Sequence, residues 1–260
     1  MRSIGVIGAG VMGEALISAL IKSGIDSSSI AIHEKRDDRA RELSDKYGVN
    51  PQDLQGIAQR DVVLLVVKPQ DMAALLESTE FGKETLLVSF AAGKTTDFIQ
   101  SLSNRSRVIR VMPNTPTLVG EGMAALSASG SVQQGDKDFV RRFLETAGKV
   151  IEVPEHLQDA VTATSGSGPA YFFAFVEAMI AAAQSLGLSA DDATTLATQT
   201  MIGSAKLLAE SGDSPQTLRE KVTSPNGTTA AALASFNQSD LAGIVKQAME
   251  AAKQRSQELA

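Results

Sequence analysis

The chain has 260 residues, 43 % hydrophobic and 21 % charged, enough for one large or two modest domains with cores of their own. Its formal net charge of −6 argues against nucleic acid or an anionic membrane as a partner, because both require a basic surface. With no cysteine, disulfides, thiolate catalysis and cysteine-bound metals are excluded, and with only His33 and His156 no metal site is expected.

In chain order, "SIGVIG" (3–8), "SIAIHE" (29–34), "DVVLLVVK" (61–68), "TLLVSFAAG" (85–93) and "RVIRVMP" (107–113) read as strands. The unbroken apolar "VVLLVV" suits a parallel strand buried on both faces. Helical patterns lie between them, "VMGEALISALIKSG" closing at Gly24 and "DDRARELSDKYG" at Gly48. The alternation predicts an α/β, Rossmann-like domain over residues 1–154, with a mostly parallel doubly wound sheet. "MAALSA" (123–128) and "KVIEV" (149–153) extend that sheet around one helix, "DKDFVRRFLETAG".

From 155 to 260 the pattern is all-helical, with Pro169 in a first turn and Ser189 and Ser214 as N-caps. Residues 170–186 are apolar nearly all round and need cover that a second subunit would supply. "RSIGVIGAG" is too short and too glycine-broken for a secretion signal, and the longest apolar runs fall below a membrane span. A cytoplasmic enzyme is the expectation.

"GAGVMG" sets Gly8, Gly10 and Gly13 in G-x-G-x-x-G spacing, directly after a strand and at the start of a helix. That context is what a dinucleotide fingerprint requires; alone, the spacing would suit a structural turn. Gly8 permits the tight turn, Gly10 lets a diphosphate approach, and Gly13 allows close packing. Gly8, Ala9, Gly10, Val11 and Met12 are the candidate cofactor contacts here, with phosphates on the N–H groups of Val11 and Met12.

Roughly 20 residues further on, Glu34 stands where a carboxylate binds a ribose 2′-OH. Lys35 and Arg36 follow at once and could hold a 2′-phosphate instead. The three residues point in opposite directions, toward NAD and toward NADP, with NADP preferred. Asp37, Asp38 and Arg39 read as a solvated turn.

Val67, Lys68 and Pro69 in "VVKPQ", Ala91 and Ala92 in "SFAAG", and Met112, Pro113 and Asn114 in "RVMPNTP" end the third, fourth and fifth strands. Ligands of such sheets bind at the carboxyl ends of strands, although a bare loop accounts for each stretch as readily. "VTSPNGTTAAAL" (222–233) interrupts the helices. Pro225 cannot continue a helix, Asn226-Gly227 tolerates positive φ, and Thr228 and Thr229 open a new helix with unpaired N–H groups. The turn is either punctuation or a cradle for an anion.

"GAGVMG", "VKPQ", "RVMPNTP", "SGSGPAY" and "VTSPNGTT", in this order over essentially the whole chain, resemble the pyrroline-5-carboxylate reductase family. One departure is Asn226, where the family usually has glycine; Asn is the next best residue for positive φ. The resemblance implies a Rossmann-like domain and an all-helical dimerisation domain, intertwined so that each active site combines one subunit's cofactor with its partner's helices. An obligate homodimer follows from it, and some members assemble five dimers into a decamer.

It further implies that Ser224, Asn226, Gly227, Thr228 and Thr229 bind the carboxylate of 1-pyrroline-5-carboxylate, a small cyclic imine. The hydroxyl of Thr229 would orient the ring nitrogen as the catalytic group. The nicotinamide of NADPH, or of NADH, would lie against Ala91, Ala92 and Met112–Asn114 and pass hydride to the imine carbon of the ring, C5 of the resulting proline. Such an imine is basic enough to arrive protonated, so no general acid is needed, in keeping with the scarce histidines.

A β-hydroxyacid dehydrogenase would carry a lysine on the first long helix of its second domain, and "PAYFFAFVEAMIAAAQ" has none. A reductase of another cyclic imine and a silent dinucleotide-binding regulator are the remaining alternatives.

Overall fold

Short apolar runs build the centre of a sheet. In this computed structural model, which describes residues 2–259, β1 (Ile4–Ile7), β4 (Val62–Leu65) and β5 (Leu86–Ser89) are buried along their whole length. Strands covered on both faces are apolar almost throughout, and here only Ser89, at the end of β5, is polar. They combine with β2 (Ile30–His33), β3 (Asn50–Pro51), β6 (Val108–Met112), β7 (Gly122–Ala128) and β8 (Gly148–Glu152) in the order β3-β2-β1-β4-β5-β6-β7-β8. Every neighbouring pair is parallel except β6 with β7.

Helices cover both faces. Leu16 and Leu20 of α1 (Val11–Lys22) and Phe143 of α6 (Gln134–Glu145) pack with Val6, Leu64, Val88 and Ile109. On the other face Ile57 of α3 (Leu54–Ala58), Met72 and Leu76 of α4 (Met72–Ser78) and Ile99 of α5 (Thr96–Ser103) meet Ile7, Val63, Leu65 and Leu87. β2 and β4 flank β1, so strand order reverses there and a crevice opens at its carboxyl end. α2 (Asp37–Tyr47) ends on Gly48, whose φ of 70° closes it in the left-handed region.

The contacts divide the chain into two units, Gly168–Glu250 and the remainder, which includes the short α7 (Gln158–Val161). The first of these holds α8 (Gly168–Ser185), α9 (Ala190–Glu210), α10 (Pro215–Lys221), α11 (Thr228–Gln238) and the start of α12 (Leu241–Glu258). Ser189 and Ser214 accept hydrogen bonds at 3.1 Å from the amides of Asp192 and Thr217, and so cap α9 and α10. On α8, Phe172 and Phe173 are 57 % and 64 % exposed.

Four features depart from the sequence reading. α3, α4 and α5 have five, seven and eight residues, too few to show a helical period. β3 is a two-residue edge strand. β7 runs antiparallel to β6, and direction leaves no trace in composition. Last, the expectation that no apolar run reaches membrane-spanning length is corrected: the helical stretch Glu155–Ser185 is long and apolar enough, by length and composition, with mean hydropathy 1.2. The sequence reading breaks this stretch at "TSGSG", whereas Thr162–Gly166 is a π-helical turn.

Candidate active site

Only three residues, Gly8 to Gly10, separate the end of β1 from α1. Gly8 has φ +90°, and a Cβ there would lie 2.6 Å from the Val66 carbonyl oxygen. A Cβ on Gly13 would collide with the carbonyl oxygen of Gly8. Internal contacts therefore account for both glycines. Gly10 differs, because its φ is −66° and a Cβ would meet nothing within 4 Å. No contact inside the chain requires glycine there.

The space beside Gly10 opens over the first turn of α1, which no side chain caps. Its orphan N–H groups, at Val11 and Met12, remain for an anion. A loop that keeps a cradle a Cβ would fill, beside uncapped amides, fits the diphosphate of a dinucleotide.

The peptide of Ala9 is clamped from both sides. Its N–H donates to Glu34 Oε2 at 3.0 Å, and its carbonyl accepts from Arg39 Nε at 3.3 Å. Glu34 Oε1 accepts the amide of Arg36 at 3.2 Å, so both of its oxygens are used within the chain. Arg39, read from sequence as part of a solvated turn, has a side chain only 11 % exposed and ion-pairs with Glu14 and Glu42. Glu42 is three residues away on α2, but Glu14 of α1 and Ala9 of the glycine loop are partners that sequence proximity hides.

Glu14 also accepts from Lys46 at 2.8 Å and Tyr47 at 3.0 Å. Lys46 first and Arg39 second hold its carboxyl well down, at about 2. Lys35 and Arg36 remain exposed at the entrance to α2, where Arg36 Nε lies 4.0 Å from Glu34.

The other candidates end neighbouring strands on the same carboxyl edge. Val67, Lys68 and Pro69 follow β4, with Lys68 exposed before a 3₁₀ turn, Pro69–Asp71. Ala91, buried, and Ala92, half-buried, follow β5. Met112 ends β6 and the buried Pro113 follows it. Asn114 accepts the Met123 amide at 2.8 Å and donates to the Ser165 carbonyl at 3.1 Å, so its side chain ties the strand end to the π-helical turn. The fold thus gathers Gly8–Met12, Glu34–Arg36, Val67–Pro69, Ala91–Ala92 and Met112–Asn114 along one edge of the sheet.

Ser224–Thr229 belongs to the helical unit. Asn226 has φ 60°, and the amide of Gly227 closes the turn on the Ser224 carbonyl at 3.0 Å. Gly227 is the N-cap of α11, and no side chain caps the helix. Ser224, Asn226 and Thr228 are exposed, Gly227 and Thr229 half-buried. Among the described residues no cluster of metal-ligating side chains occurs. His33 Nδ1 lies 3.2 Å from the Gln52 carbonyl, and His156 is exposed in the 3₁₀ turn Glu155–Leu157.

One group escaped the sequence reading. Arg110 of β6 is buried and donates to Glu155 Oε1 at 2.9 Å. An arginine between isoleucine and valine in an apolar strand was its signal.

Comparison with known proteins gives the same frame. Residues 155–259 match a family described as pyrroline-5-carboxylate reductase dimerisation, and residues 3–93 match one described as NADP oxidoreductase coenzyme F420-dependent. A pyrroline-5-carboxylate reductase of Corynebacterium melassecola is 39 % identical, over 100 % of this chain and 99 % of the relative. That of Pasteurella multocida is 40 % identical over 99 % and 98 %. Among solved structures, a pyrroline-5-carboxylate reductase from Coxiella burnetii superposes with a TM-score of 0.91 at 34 % identity, covering 100 % of this chain and 98 % of the other. The Plasmodium falciparum pyrroline carboxylate reductase with NADP bound gives 0.84 at 28 % identity, covering 99 % and 98 %. The chain belongs to the pyrroline-5-carboxylate reductase family.

Proposed function

We propose that the chain reduces 1-pyrroline-5-carboxylate to L-proline, taking hydride from NADPH onto the carbon of the C=N bond, which becomes C5 of proline. The observation that carries the substrate half is the uncapped start of α11, behind a turn held open by Asn226 at φ 60°. A carboxylate is the anion that such amides bind, and Gly227, Thr228 and Thr229 present them. The Thr229 hydroxyl, in the first turn of α11, orients the ring nitrogen.

In the sheet unit, Gly8–Met12 take the diphosphate, while Lys35 and Arg36 take the 2′-phosphate that Glu34 leaves to them. Val67–Pro69, Ala91, Ala92 and Met112–Asn114 surround the nicotinamide end. NADPH, when bound, supplies the hydride. The protein binds and orients the two reactants and excludes water, and no general acid is required because the imine arrives protonated.

Subunits pair as an obligate homodimer through the apolar helices of the Gly168–Glu250 unit, with a decamer of five dimers as the larger form, in the cytoplasm. Light scattering separates dimer from decamer. The reaction is tested by following NADPH oxidation with 1-pyrroline-5-carboxylate, with NADH in parallel. Rapid turnover with NADPH is expected; cofactor binding without turnover would overturn the substrate.

A further inference from the structure

The loop after β5 is fixed at both ends by contacts that close into a ring. At one end stands Gly93, buried, with φ +75°. A Cβ there would lie 2.9 Å from the Ser256 carbonyl oxygen and 2.8 Å from Leu259 Cβ, so the loop backbone rests directly on the last turn of α12. Ser256 is 3 % exposed, and its hydroxyl donates to Asp159 Oδ1 at 2.7 Å.

Asp159 Oδ1 lies 3.8 Å from Nη2 of Arg110, which is 2 % exposed. Nη1 of the same guanidinium donates to Glu155 Oε1 at 2.9 Å. That oxygen also accepts the amide of Thr96 at 3.3 Å, three residues past Gly93. The path Gly93, Ser256, Asp159, Arg110, Glu155, Thr96 returns to the loop from which it set out.

The contacts are not incidental to local chain geometry. Ser256 and Asp159 are 97 residues apart, and Thr96 and Glu155 are 59 apart, so each closes a long loop at an entropic cost. Nor is stability a sufficient reason for them, because a buried ion pair is usually no better for folding than apolar residues of equal volume. What the ring does fix is the position of Gly93–Thr96, directly after Ala91 and Ala92.

We propose that Ser256 and Asp159 are positioning residues, which through this ring hold Ala91–Gly93 as a preset seat for the nicotinamide end of NADPH. The proposal rests on the functional reading above in assigning that loop to the nicotinamide. Neither residue touches cofactor or substrate; both act through Gly93 and Thr96.

Hydrogen exchange on the cofactor-free protein tests the ring without reference to catalysis. Ser256→Ala should speed exchange of the Gly93–Thr96 amides about tenfold or more, with the sheet core unchanged. Ser256→Thr, which keeps the hydroxyl, should leave the loop at its original rate. In the assay, Ser256→Ala should lower kcat about five- to tenfold while KM for NADPH and for the imine stay within about twofold, the signature of a misplaced rather than a weakly bound reactant.

Unchanged loop exchange in Ser256→Ala overturns the proposal. So does equal acceleration in Ser256→Thr, which would show that the hydroxyl is not the link, and so does faster exchange throughout the sheet. Absence of turnover by the unmutated protein would instead defeat the functional reading, while the exchange data would still judge the ring.

Discussion

Glu34 Oε2 accepts the backbone N–H of Ala9 at 3.0 Å, so the carboxylate that ends β2 is spent on the glycine loop. With its other oxygen on the Arg36 amide, each oxygen already holds one donor before any ribose arrives. Lys35 and Arg36 are the exposed cations beside it. Replacing both with alanine should raise KM for NADPH about tenfold and leave KM for NADH nearly unchanged, since only the former carries a 2′-phosphate. Steady-state kinetics with the two cofactors decides it, and equal losses with both would remove these side chains from phosphate recognition.

Two glycines of one motif should respond oppositely to alanine. At Gly10 the added methyl meets only open space, so Gly10→Ala should keep Tm within a few degrees yet weaken NADPH binding more than about tenfold. At Gly13 the methyl would strike the Gly8 carbonyl, and Gly13→Ala should lower Tm markedly. Thermal melts and fluorescence titration with NADPH separate the two; a stable Gly10→Ala with unaltered affinity contradicts the assignment of that space.

Glu14 ties α1 to α2 through Lys46, Arg39 and Tyr47, and its folded carboxyl titrates at about 2 against an ordinary 4.5. A depressed folded value means that the contribution is complete above 4.5 and is lost as pH falls toward 2. Glu14→Gln should therefore melt roughly 2–5 °C below the unmutated protein near neutral pH, a modest gap because the cluster is partly solvated. Melts taken at successively lower pH should show the gap closing below about 4.5. A gap independent of pH would mean that charge is not what Glu14 contributes.

Thr229→Val removes a hydroxyl in the first turn of α11 and keeps the shape of the side chain. Tm should hardly move. Turnover should suffer instead: kcat/KM for 1-pyrroline-5-carboxylate is expected to drop about ten- to a hundredfold, with NADPH affinity unaltered. Kinetics identical to the unmutated enzyme would leave the imine nitrogen without this partner.

What could be read in advance was local. The apolar runs of β1, β4 and β5, the left-handed closure at Gly48 and the caps at Ser189 and Ser214 all depend on residues within a few positions of one another. The same holds for the spacing of Gly8, Gly10 and Gly13 and for the positive φ at Asn226. What stayed hidden was tertiary competition. Glu34 reads as a ribose ligand, but nothing in the spacing shows that it also accepts the amide of Ala9, 25 residues back. Arg39 reads as surface until the fold brings Ala9 and Glu14 to it. Arg110 could be noticed as an anomaly, but its partner Glu155 lies 45 residues on, and nothing in the spacing joins them.

The bare phenylalanines of α8 have a consequence for how the protein is made. Sheet and glycine loop precede residue 168 in the chain and leave the ribosome first, with most of their core-forming residues already available. The helices that follow expose Phe172, Phe173 and Phe175, a sticky surface until another copy meets it. Dosage then enters the folding reaction. At low expression the second half waits as an aggregation-prone intermediate, while at high expression it is captured quickly, so yield should rise faster than in proportion to the number of chains synthesised.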